Sequence, residues 1–308
     1  MKIAFLCPGQ GSQVVGMGAD LVAAFPTARA LYERADELLG WSASEVSFNG
    51  PAEQLNDTRY AQPALYVQSV AAGRVLLERG VKADFLAGHS LGEYSALALA
   101  GALSFEDGLR LVSVRGAAMA EAGRDRKRVG VSGTMAAIIG LDEKTVVDAL
   151  SGIEGAVPAN FNAPDQIVIS GTIAGVAAAS EKLAALGAKR VVPLKVSGAF
   201  HSPLVASAAA KLREVLDLTE IRSPRAPVVA NVTGKPTSDP DEIRELLVRQ
   251  IASPVRWTDS VRALARAGVT RCYEVGPGRV LQGLVRRVER SLEVLGAGTA
   301  DEVRAAGV

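Results

Sequence analysis

The sequence predicts an α/β protein in which a large domain with a mostly parallel sheet contains a smaller, inserted α+β domain. Three observations support this prediction: the composition, the alternation of strand and helix patterns along most of the chain, and a different element order in its middle. The 308 residues are 48% hydrophobic, enough for a sizeable core. Glycine is plentiful at 31 residues and aromatic residues make up only 5%, which favours tight strand-to-helix turns over an aromatic-rich β-sandwich.

Strand and helix patterns alternate in the first part of the chain. Lys2–Cys7 is a short apolar run that Pro8-Gly9 stops, so it predicts a buried strand. The next predicted elements are two helices, a strand and a helix, over residues 16–39, 63–79, 84–88 and 91–100. Ser104, with Asp107 three residues later, marks the start of a further helix, which we expect to run to about Ala122.

The element order changes after residue 130. The charged segment 123–130 is bounded by glycines and is typical of an exposed linker. Beyond it the patterns predict strand, helix, strand, strand, helix and strand, over residues 134–139, 143–150, 156–160, 166–170, 173–186 and 189–196. This order is the signature of a ferredoxin-like unit. We therefore expect a small domain over 126–197, inserted into a large domain formed by 1–125 and 198–308.

Alternation returns in the last part of the chain. The predicted strands cover 228–231 and 271–275, and the predicted helices lie near 203–217, 241–251, 257–267 and 279–289. Both predicted strands belong to the large domain, because they follow the inserted segment.

Charge and cysteine content exclude several classes of protein. The net charge is +1 and the pI is near 7.8, so no global field favours nucleic acid or an anionic membrane. Cys7 and Cys272 lie in apolar segments, which predicts buried free thiols in a reducing compartment. Two cysteines and two histidines argue against a dedicated metal site. With no membrane-spanning stretch and no coiled-coil repeat, we expect a monomeric, cytoplasmic protein.

One short motif indicates chemistry. Gly88-His89-Ser90-Leu91-Gly92 has the pattern G-x-S-x-G, and it lies between a predicted strand and a predicted helix. Such a turn lifts the serine hydroxyl out of the sheet, and the helix start offers N–H groups, among them that of Leu91, to a developing oxyanion. The alternative is an ordinary glycine-rich turn between a strand and a helix.

A nucleophilic serine needs a base, and the chain has two histidines. His89 is the immediate neighbour of Ser90, and neighbouring side chains at a sharp turn point apart. By elimination His201 is the candidate base, in a loop between a predicted strand and a predicted helix. The alternative is a surface or helix-capping histidine.

Two further residues stand out by position. Arg115 falls in the middle of the apolar face of the helix that begins near Ser104, so its charge needs an anionic partner. That partner is either a substrate carboxylate, held bidentately, or a buried Asp or Glu in a structural ion pair. Gln10 lies between two glycines at the carboxyl end of the first strand, where α/β proteins bind ligands. It supplies a second oxyanion donor or simply belongs to a glycine turn.

Taken together, the motifs resemble the malonyl-CoA:acyl carrier protein transacylase family. The matching stretches occur in the family's order along nearly the whole chain, which is far more specific than G-x-S-x-G alone. They are Pro8-Gly9-Gln10-Gly11-Ser12-Gln13, Gln62-Pro63-Ala64, Gly88-His89-Ser90-Leu91-Gly92-Glu93, Arg115-Gly116, Asn160-Phe161-Asn162-Ala163-Pro164, Phe200-His201-Ser202 and Glu274-Val275-Gly276-Pro277-Gly278. The resemblance implies a hydrolase-like large domain with a ferredoxin-like insertion, which agrees with the predicted order.

The resemblance also implies roles for individual residues. Ser90 is the expected nucleophile and His201 its base, while the N–H groups of Gln10 and Leu91 form the oxyanion hole. Arg115 is expected to bind the malonyl carboxylate.

Four more residues receive roles only from the resemblance. A backbone carbonyl orients the histidine in this family, and Gln250 occupies the matching segment. Asn162 and His89 are expected to shape the substrate site. Phe200 before His201 is similar to the pattern of malonyl-selective members, in which a bulky ring would crowd the α-methyl of a methylmalonyl group. Such packing discriminates between the two acyl groups by on the order of 1–3 kcal/mol.

The implied reaction transfers a malonyl group from malonyl-CoA to the phosphopantetheine thiol of acyl carrier protein, without a metal or redox cofactor. We expect basic residues in 124–128, 189–190 or 286–287 to steer the acidic carrier. The alternatives are an acyltransferase that feeds a polyketide synthase, a serine esterase, and a non-catalytic scaffold. Arg115 argues against the esterase, because a simple ester gives its charge no partner.

Overall fold

The computed structural model describes residues 1–128 and 132–306, and the side chains of these residues except 124–128. The described strands are β1 Lys2–Cys7, β2 Phe85–Gly88, β3 Gly133–Ile139, β4 Ala156–Ala163, β5 Gln166–Thr172, β6 Arg190–Pro193, β7 Val228–Ala230, β8 Lys235–Thr237, β9 Val269–Glu274 and β10 Glu293–Gly296. The described helices are α1 Ala19–Ala24, α2 Pro26–Leu39, α3 Ala43–Asn49, α4 Ala52–Asn56, α5 Thr58–Glu78, α6 Gly92–Ala100, α7 Phe105–Arg128, α8 Glu143–Leu150, α9 Ile173–Ala185, α10 Ala206–Leu216, α11 Pro240–Gln250, α12 Trp257–Arg266, α13 Val280–Val288 and α14 Ala300–Ala305.

A six-stranded sheet forms the centre of the larger unit, in the order β10-β9-β1-β2-β7-β8. Neighbouring strands run parallel except β7 and β8, which are antiparallel. The sheet is therefore mixed but mostly parallel, in agreement with the prediction. Helices cover both faces, and their apolar side chains form two buried clusters against the sheet. The strands of such a sheet end at one edge, and β1 and β2 end there side by side, with Cys7 in register with Gly88.

A second sheet of four antiparallel strands has the order β4-β5-β3-β6. Its elements follow one another as β3, α8, β4, β5, α9 and β6, so the predicted order of strands and helices is confirmed. Apolar residues of α8 and α9 pack with those of the strands in a separate core cluster. This unit is tied to the larger one where the Phe161 N–H donates to the Val255 carbonyl at 2.9 Å.

The first helical segment is shorter and more broken than its pattern predicts. Residues 16–39 contain two helices, α1 and α2, which meet at Phe25 in an extended conformation. Pro26 explains the break, because a proline disfavours helical geometry in the residue before it and occupies the first turn of the next helix. Helix α5, predicted to begin at Pro63, begins at Thr58 instead, where the Asp57 side chain caps it.

The predicted linker over 123–130 is wrong where the structure describes it. Helix α7 continues through Arg128, six residues beyond the predicted end at Ala122. Arg and Lys, which dominate this segment, are good helix formers, although Asp is not. A high density of charge therefore does not by itself indicate a loop. Residues 129–131 and the side chains of the basic cluster at 124–128 lie outside the described residues.

The sequence patterns missed several short elements: α3, α4, α14, β8 and β10. Each is seven residues or fewer, too short for a periodic pattern to be distinguished. Cys7 and Cys272 are free and buried, as predicted. Among the described helices, none has the length and apolar character needed to cross a membrane.

Candidate active site

Ser90 occupies a strained turn between β2 and α6. Its φ is 52°, in the left-handed region that residues other than glycine seldom adopt. The flanking glycines make this turn possible, because a Cβ at Gly88 would overlap the Gly92 carbonyl and a Cβ at Gly92 would overlap that of Cys7. The turn therefore aims the Ser90 hydroxyl away from the sheet edge, and strain of this kind is often stored at functional sites.

His201 contacts the serine directly. The Ser90 Oγ lies 2.8 Å from His201 Nε2, although the two residues are 111 positions apart. His201 Nδ1 lies 2.9 Å from the main-chain carbonyl of Gln250. A carbonyl only accepts, so Nδ1 carries the proton and Nε2 is left to accept the Ser90 hydroxyl proton.

The surroundings keep this imidazole neutral. His201 is 4% exposed. Burial, and secondly the positive charge of Arg115, lower the pKa of His201 to about 3. At neutral pH the ring is thus an unprotonated hydrogen-bond acceptor beside a hydroxyl, which is the arrangement that general-base activation of a serine needs.

Arg115 is the cation of the site, and it is 1% exposed. One nitrogen, Nη2, donates to Ser90 Oγ at 2.9 Å and to the side-chain oxygen of Gln250 at 3.0 Å. The other, Nη1, donates to the side-chain oxygen of Gln62 at 2.8 Å. The guanidinium also lies over the Tyr94 ring, 5.5 Å from its centroid.

Among the side chains that the structure describes, which leave out 124–128, no Asp or Glu lies within 4.0 Å of the guanidinium nitrogens. The alternative of a direct ion pair between Arg115 and a buried Asp or Glu therefore has no support among the described side chains. Its Nε has no partner among the described residues. A buried cation surrounded by neutral oxygens is well suited to take up an anion beside Ser90.

Gln10 and Leu91 lie in the two turns that meet at the serine. The Gly9 backbone approaches the His89 carbonyl so closely that a Cβ there would overlap it. Neither the Gln10 nor the Leu91 main-chain N–H donates to an acceptor in the described ranges. The Gln10 side chain donates to Thr58 Oγ1 at 3.1 Å. With no acceptor among the described residues, the two main-chain N–H groups can donate to a ligand at the turn.

His89 points away from the serine side chain, as its position at the sharp turn predicts. Its Nε2 lies 2.8 Å from the Asn162 side-chain oxygen, and its ring packs on Trp257 with centroids 5.6 Å apart. Asn162 lies near the end of β4, so its hydrogen bond with His89 joins the smaller unit to the turn that carries Ser90. Phe200 is 7% exposed and lies in the main apolar cluster, directly before His201.

The sequence analysis assigned no role to three polar residues of the site, although Gln62 and Glu93 lie in stretches shared with the family. The Asn231 side chain accepts from the Ser90 N–H at 2.6 Å and donates to the Gly88 carbonyl at 2.6 Å. Gln62 accepts from Arg115, and Glu93 accepts from Gln250 and from the Asn231 N–H. Asn231 is the last residue of the predicted strand 228–231, at the ligand-binding edge, and this position is the one sequence signal that could have identified it.

Gln250 contributes more than its main-chain carbonyl. Its side chain is fully buried and donates to the Ser90 carbonyl at 3.0 Å and to Glu93 Oε2 at 2.6 Å. Burial raises the pKa of Glu93 to about 7, against the opposing effects of these hydrogen bonds and of the Arg115 charge. Gln250 is thus the residue through which nucleophile, base, cation and carboxylate are connected.

The fold and the site together define a class of protein: an α/β protein with a serine on a strand-to-helix turn, a buried neutral histidine and a cation beside them. Comparison with known proteins is consistent with this class. The model of the acyl transferase domain family matches residues 4–306, nearly the whole chain. The chain belongs to this family.

Individual relatives cover the same length. The malonyl CoA-acyl carrier protein transacylase of Bacillus subtilis is 46% identical over an alignment of 309 positions, gaps included, which covers 99% of this chain and 96% of the relative. The acyl-carrier-protein S-malonyltransferase of Bartonella henselae superposes with a TM-score of 0.94 at 42% identity, covering 99% and 98% of the two chains. A malonyl-transacylase solved with its type II PKS acyl-carrier protein has the same TM-score at 41% identity, with 99% of each chain covered. The family resemblance indicated by the sequence motifs is thereby confirmed.

Proposed function

We propose that this protein transfers a malonyl group from malonyl-CoA to the phosphopantetheine thiol of acyl carrier protein, through a malonyl ester on Ser90. The names of the relatives support malonyl transfer. The observation that carries the proposal is the position of Ser90 Oγ, which contacts both the neutral His201 and the guanidinium of Arg115. A carboxylate bound to that cation places the other end of a malonyl group at the nucleophile.

In the first half-reaction the Ser90 oxygen attacks the thioester carbonyl carbon while its proton moves to His201 Nε2. The new C–O bond pushes the carbonyl electrons onto oxygen, where the N–H groups of Gln10 and Leu91 stabilise the negative charge. Collapse of this intermediate breaks the C–S bond, and His201 returns the proton to the departing CoA sulfur.

The second half-reaction reverses these steps with another thiol. The phosphopantetheine thiol gives its proton to His201 and attacks the Ser90 ester. Collapse then breaks the ester C–O bond and returns the proton to the serine oxygen. A thioester is already activated, so these steps require no metal and no redox cofactor.

The malonyl carboxylate also strengthens the base in this scheme. The charge of Arg115 contributes to the low pKa of His201. When the acyl carboxylate pairs with Arg115, that charge is offset and protonation of the imidazole becomes easier. An acyl group without a carboxylate leaves the base weak, which adds to selectivity for malonyl groups.

The architecture fits a hydrolase-like large domain over 1–125 and 198–308 with a ferredoxin-like small domain over 126–197. The contact between His89 and Asn162 joins the two parts at the substrate site. Phe200, buried beside His201, is positioned to crowd an α-methyl group. The reducing, cytoplasmic location that we propose agrees with two buried free thiols.

A carrier protein of polyketide synthesis is the second candidate acceptor. A similar structure was solved with such a carrier, so the fold accommodates this kind of partner in that protein. Comparing transfer rates to fatty-acid and polyketide carrier proteins decides between them. Salt sensitivity of the transfer rate would show that the carrier docks electrostatically. In the proposed basic cluster at 286–287, Arg287 forms an ion pair with Asp165 at 2.7 Å, so part of its charge is already compensated.

Intact-mass measurement after incubation with malonyl-CoA alone tests the proposal. We expect one malonyl adduct on the wild type and none on Ser90→Ala. Release of CoA without an adduct would instead indicate a hydrolase. Neither adduct nor released CoA would leave a scaffold as the better explanation.

A further inference from the structure

Glu93 is a buried carboxylate that the proposed mechanism does not use. It lies in the first turn of α6, three residues after Ser90, and is 3% exposed. Two groups donate to the same oxygen, Oε2: the Gln250 side-chain N–H at 2.6 Å and the Asn231 main-chain N–H at 3.2 Å. A charge in such a place needs compensation nearby, since burial of an isolated carboxylate is costly.

The compensating charge lies on the other side of a single amide. The side-chain oxygen of Gln250 accepts from Arg115 at 3.0 Å, while its nitrogen donates to Glu93 at 2.6 Å. The cation and the anion thus contact opposite ends of one carboxamide. This arrangement also fixes the amide's orientation, because an arginine only donates and a carboxylate only accepts.

The same glutamine contacts the other reacting residues. Its main-chain carbonyl holds His201 Nδ1, and its side chain donates to the main-chain carbonyl of Ser90. Anything that fixes Gln250 therefore fixes the base and the nucleophile relative to the cation. Glu93 is the only carboxylate among the described residues that contacts Gln250.

We propose that Glu93 is the counter-charge of Arg115, acting through the Gln250 side-chain amide, and so is a positioning residue for acyl transfer. This inference rests on the proposed function. While the site is empty, Glu93 balances the buried cation and holds the guanidinium beside Ser90. When the acyl carboxylate arrives, it competes with Glu93 for the charge of Arg115, so Glu93 limits how tightly an anionic acyl group binds.

Glu93→Gln separates charge from hydrogen bonding. The glutamine oxygen still accepts from Gln250 and Asn231, and its nitrogen replaces the oxygen to which no described residue donates. Single-turnover CoA release is measured at pH 8, above the Glu93 pKa of about 7, so that the wild-type carboxylate is ionised. The malonyl-CoA and acetyl-CoA concentrations are each varied. We expect the half-saturating malonyl-CoA concentration to fall about three- to tenfold, with little change for acetyl-CoA. In an Arg115→Ala background the same substitution should have no effect on the malonyl-to-acetyl ratio.

Glu93→Leu removes the hydrogen bonds as well. Gln250 then keeps only its side-chain bonds to Arg115 and the Ser90 carbonyl, so its position is less well fixed. We expect the maximal loading rate to fall up to about 100-fold for both acyl groups, and Glu93→Gln to restore most of it. Glu274→Gln is the matched control. Glu274 is equally buried and accepts two main-chain N–H groups at the start of α13, with no contact to Arg115. It should alter stability but not the acyl preference.

Two results would overturn the inference alone: an unchanged acyl preference in Glu93→Gln, or the same change of preference with Arg115→Ala present. Failure of the wild type to release CoA from malonyl-CoA would overturn the proposed function and the inference with it. Circular dichroism spectra and thermal midpoints of each variant show whether it is folded, so a loss of rate is assigned only to folded protein.

Discussion

Asn231 holds both ends of the turn that carries Ser90. Its side-chain oxygen accepts from the Ser90 N–H and its nitrogen donates to the Gly88 carbonyl, both at 2.6 Å. A serine with φ of 52° leaves its main-chain groups unable to join regular structure, so a side chain satisfies them instead. At 1% exposure Asn231 has no water to replace these bonds.

Asn231→Asp tests this clamp with almost no change of shape. One carboxylate oxygen still accepts from Ser90, but the other meets the Gly88 carbonyl, and two acceptors repel. We expect the free energy of unfolding to fall by about 1–3 kcal/mol and the rate of Ser90 acylation to fall with it. Urea denaturation and single-turnover CoA release measure the two effects.

Asn56→Asp is the control for that substitution. Asn56 is exposed, and its oxygen accepts from Gln13 at 2.8 Å, a bond that a carboxylate also makes. Its free energy of unfolding should stay within about 0.5 kcal/mol of the wild type. Equal losses in both variants would mean that the clamp at Asn231 contributes nothing specific.

Sequence patterns identified the reactive residues of the site better than their supports. Ser90 has a local motif, His201 follows from a shortage of histidines, and Arg115 violates an apolar face. Asn231 has no such local signal, and Gln62 is marked only as part of a stretch shared with the family. What makes both important is a contact with residues far away in the chain, 141 positions in the case of Asn231 and Ser90. Only the folded chain brings these groups together.

At the scale of elements, the junction of β2 and α6 depends on the close approach of main chains. Gly92 opens α6 directly against the end of β1, where an added Cβ would overlap the Cys7 carbonyl. Backbone cannot yield as a flexible side chain does. The strand-to-helix motif therefore requires glycine here for reasons of packing that are separate from the chemistry of Ser90.

Gly92→Ala is expected to displace α6 from β1 and lower stability by roughly 3 kcal/mol or more, with loss of Ser90 acylation. Gly283→Ala is the matched control. Gly283 is exposed within α13, and an added Cβ there meets nothing within 4 Å. Thermal unfolding should show stabilisation of about 0.5–1 kcal/mol for that variant. A tolerated Gly92→Ala would show that the overlap is relieved by small shifts.

Element prediction succeeded where an apolar period had room to repeat. The predicted strands at 134–139 and 166–170 match β3 and β5 to within two residues at each end. Boundaries failed where local chemistry competed with the pattern: Pro26 divides one predicted helix, and Asp57 starts α5 ahead of Pro63. Edge strand β10 carries a mixed pattern of exposure that no short window distinguishes from a loop.

At the scale of the whole molecule, the site depends on both sheets being held together. Val255, just before α12, exchanges main-chain hydrogen bonds with Ala159 and Phe161 of β4 at 2.8 and 2.9 Å. Thr258 adds a 3.0 Å bond to the Phe161 carbonyl. Because β4 also carries Asn162, these contacts fix the distance between the smaller unit and the turn at Ser90.

Two buried titratable groups of the site make the stability of the whole protein depend on pH in opposite directions. For His201 the folded pKa is about 3, against 6.5 for an exposed histidine. The unfolded chain therefore binds a proton that the folded chain does not, and stability falls as the pH falls from 6.5 towards 3. For Glu93 the folded pKa is about 7, against 4.5, so stability falls as the pH rises from 4.5 towards 7.

Unfolding free energies of the wild type, His201→Gln and Glu93→Gln between pH 3 and 8 test both signs. Subtracting the His201→Gln curve from that of the wild type should leave a positive slope, at most about 1.4 kcal/mol per pH unit, below pH 6.5. Subtracting the Glu93→Gln curve should leave a negative slope between pH 4.5 and 7.

Arg115→Ala adds a second test, because the charge of Arg115 lowers the pKa of both groups. In that background the folded pKa of Glu93 should rise, which extends its pH-dependent loss of stability to higher pH. The folded pKa of His201 should move towards 6.5, which narrows the pH range over which it affects stability. Parallel curves would mean that His201 and Glu93 titrate alike in the folded and unfolded chains, and that the site is more hydrated than its burial implies.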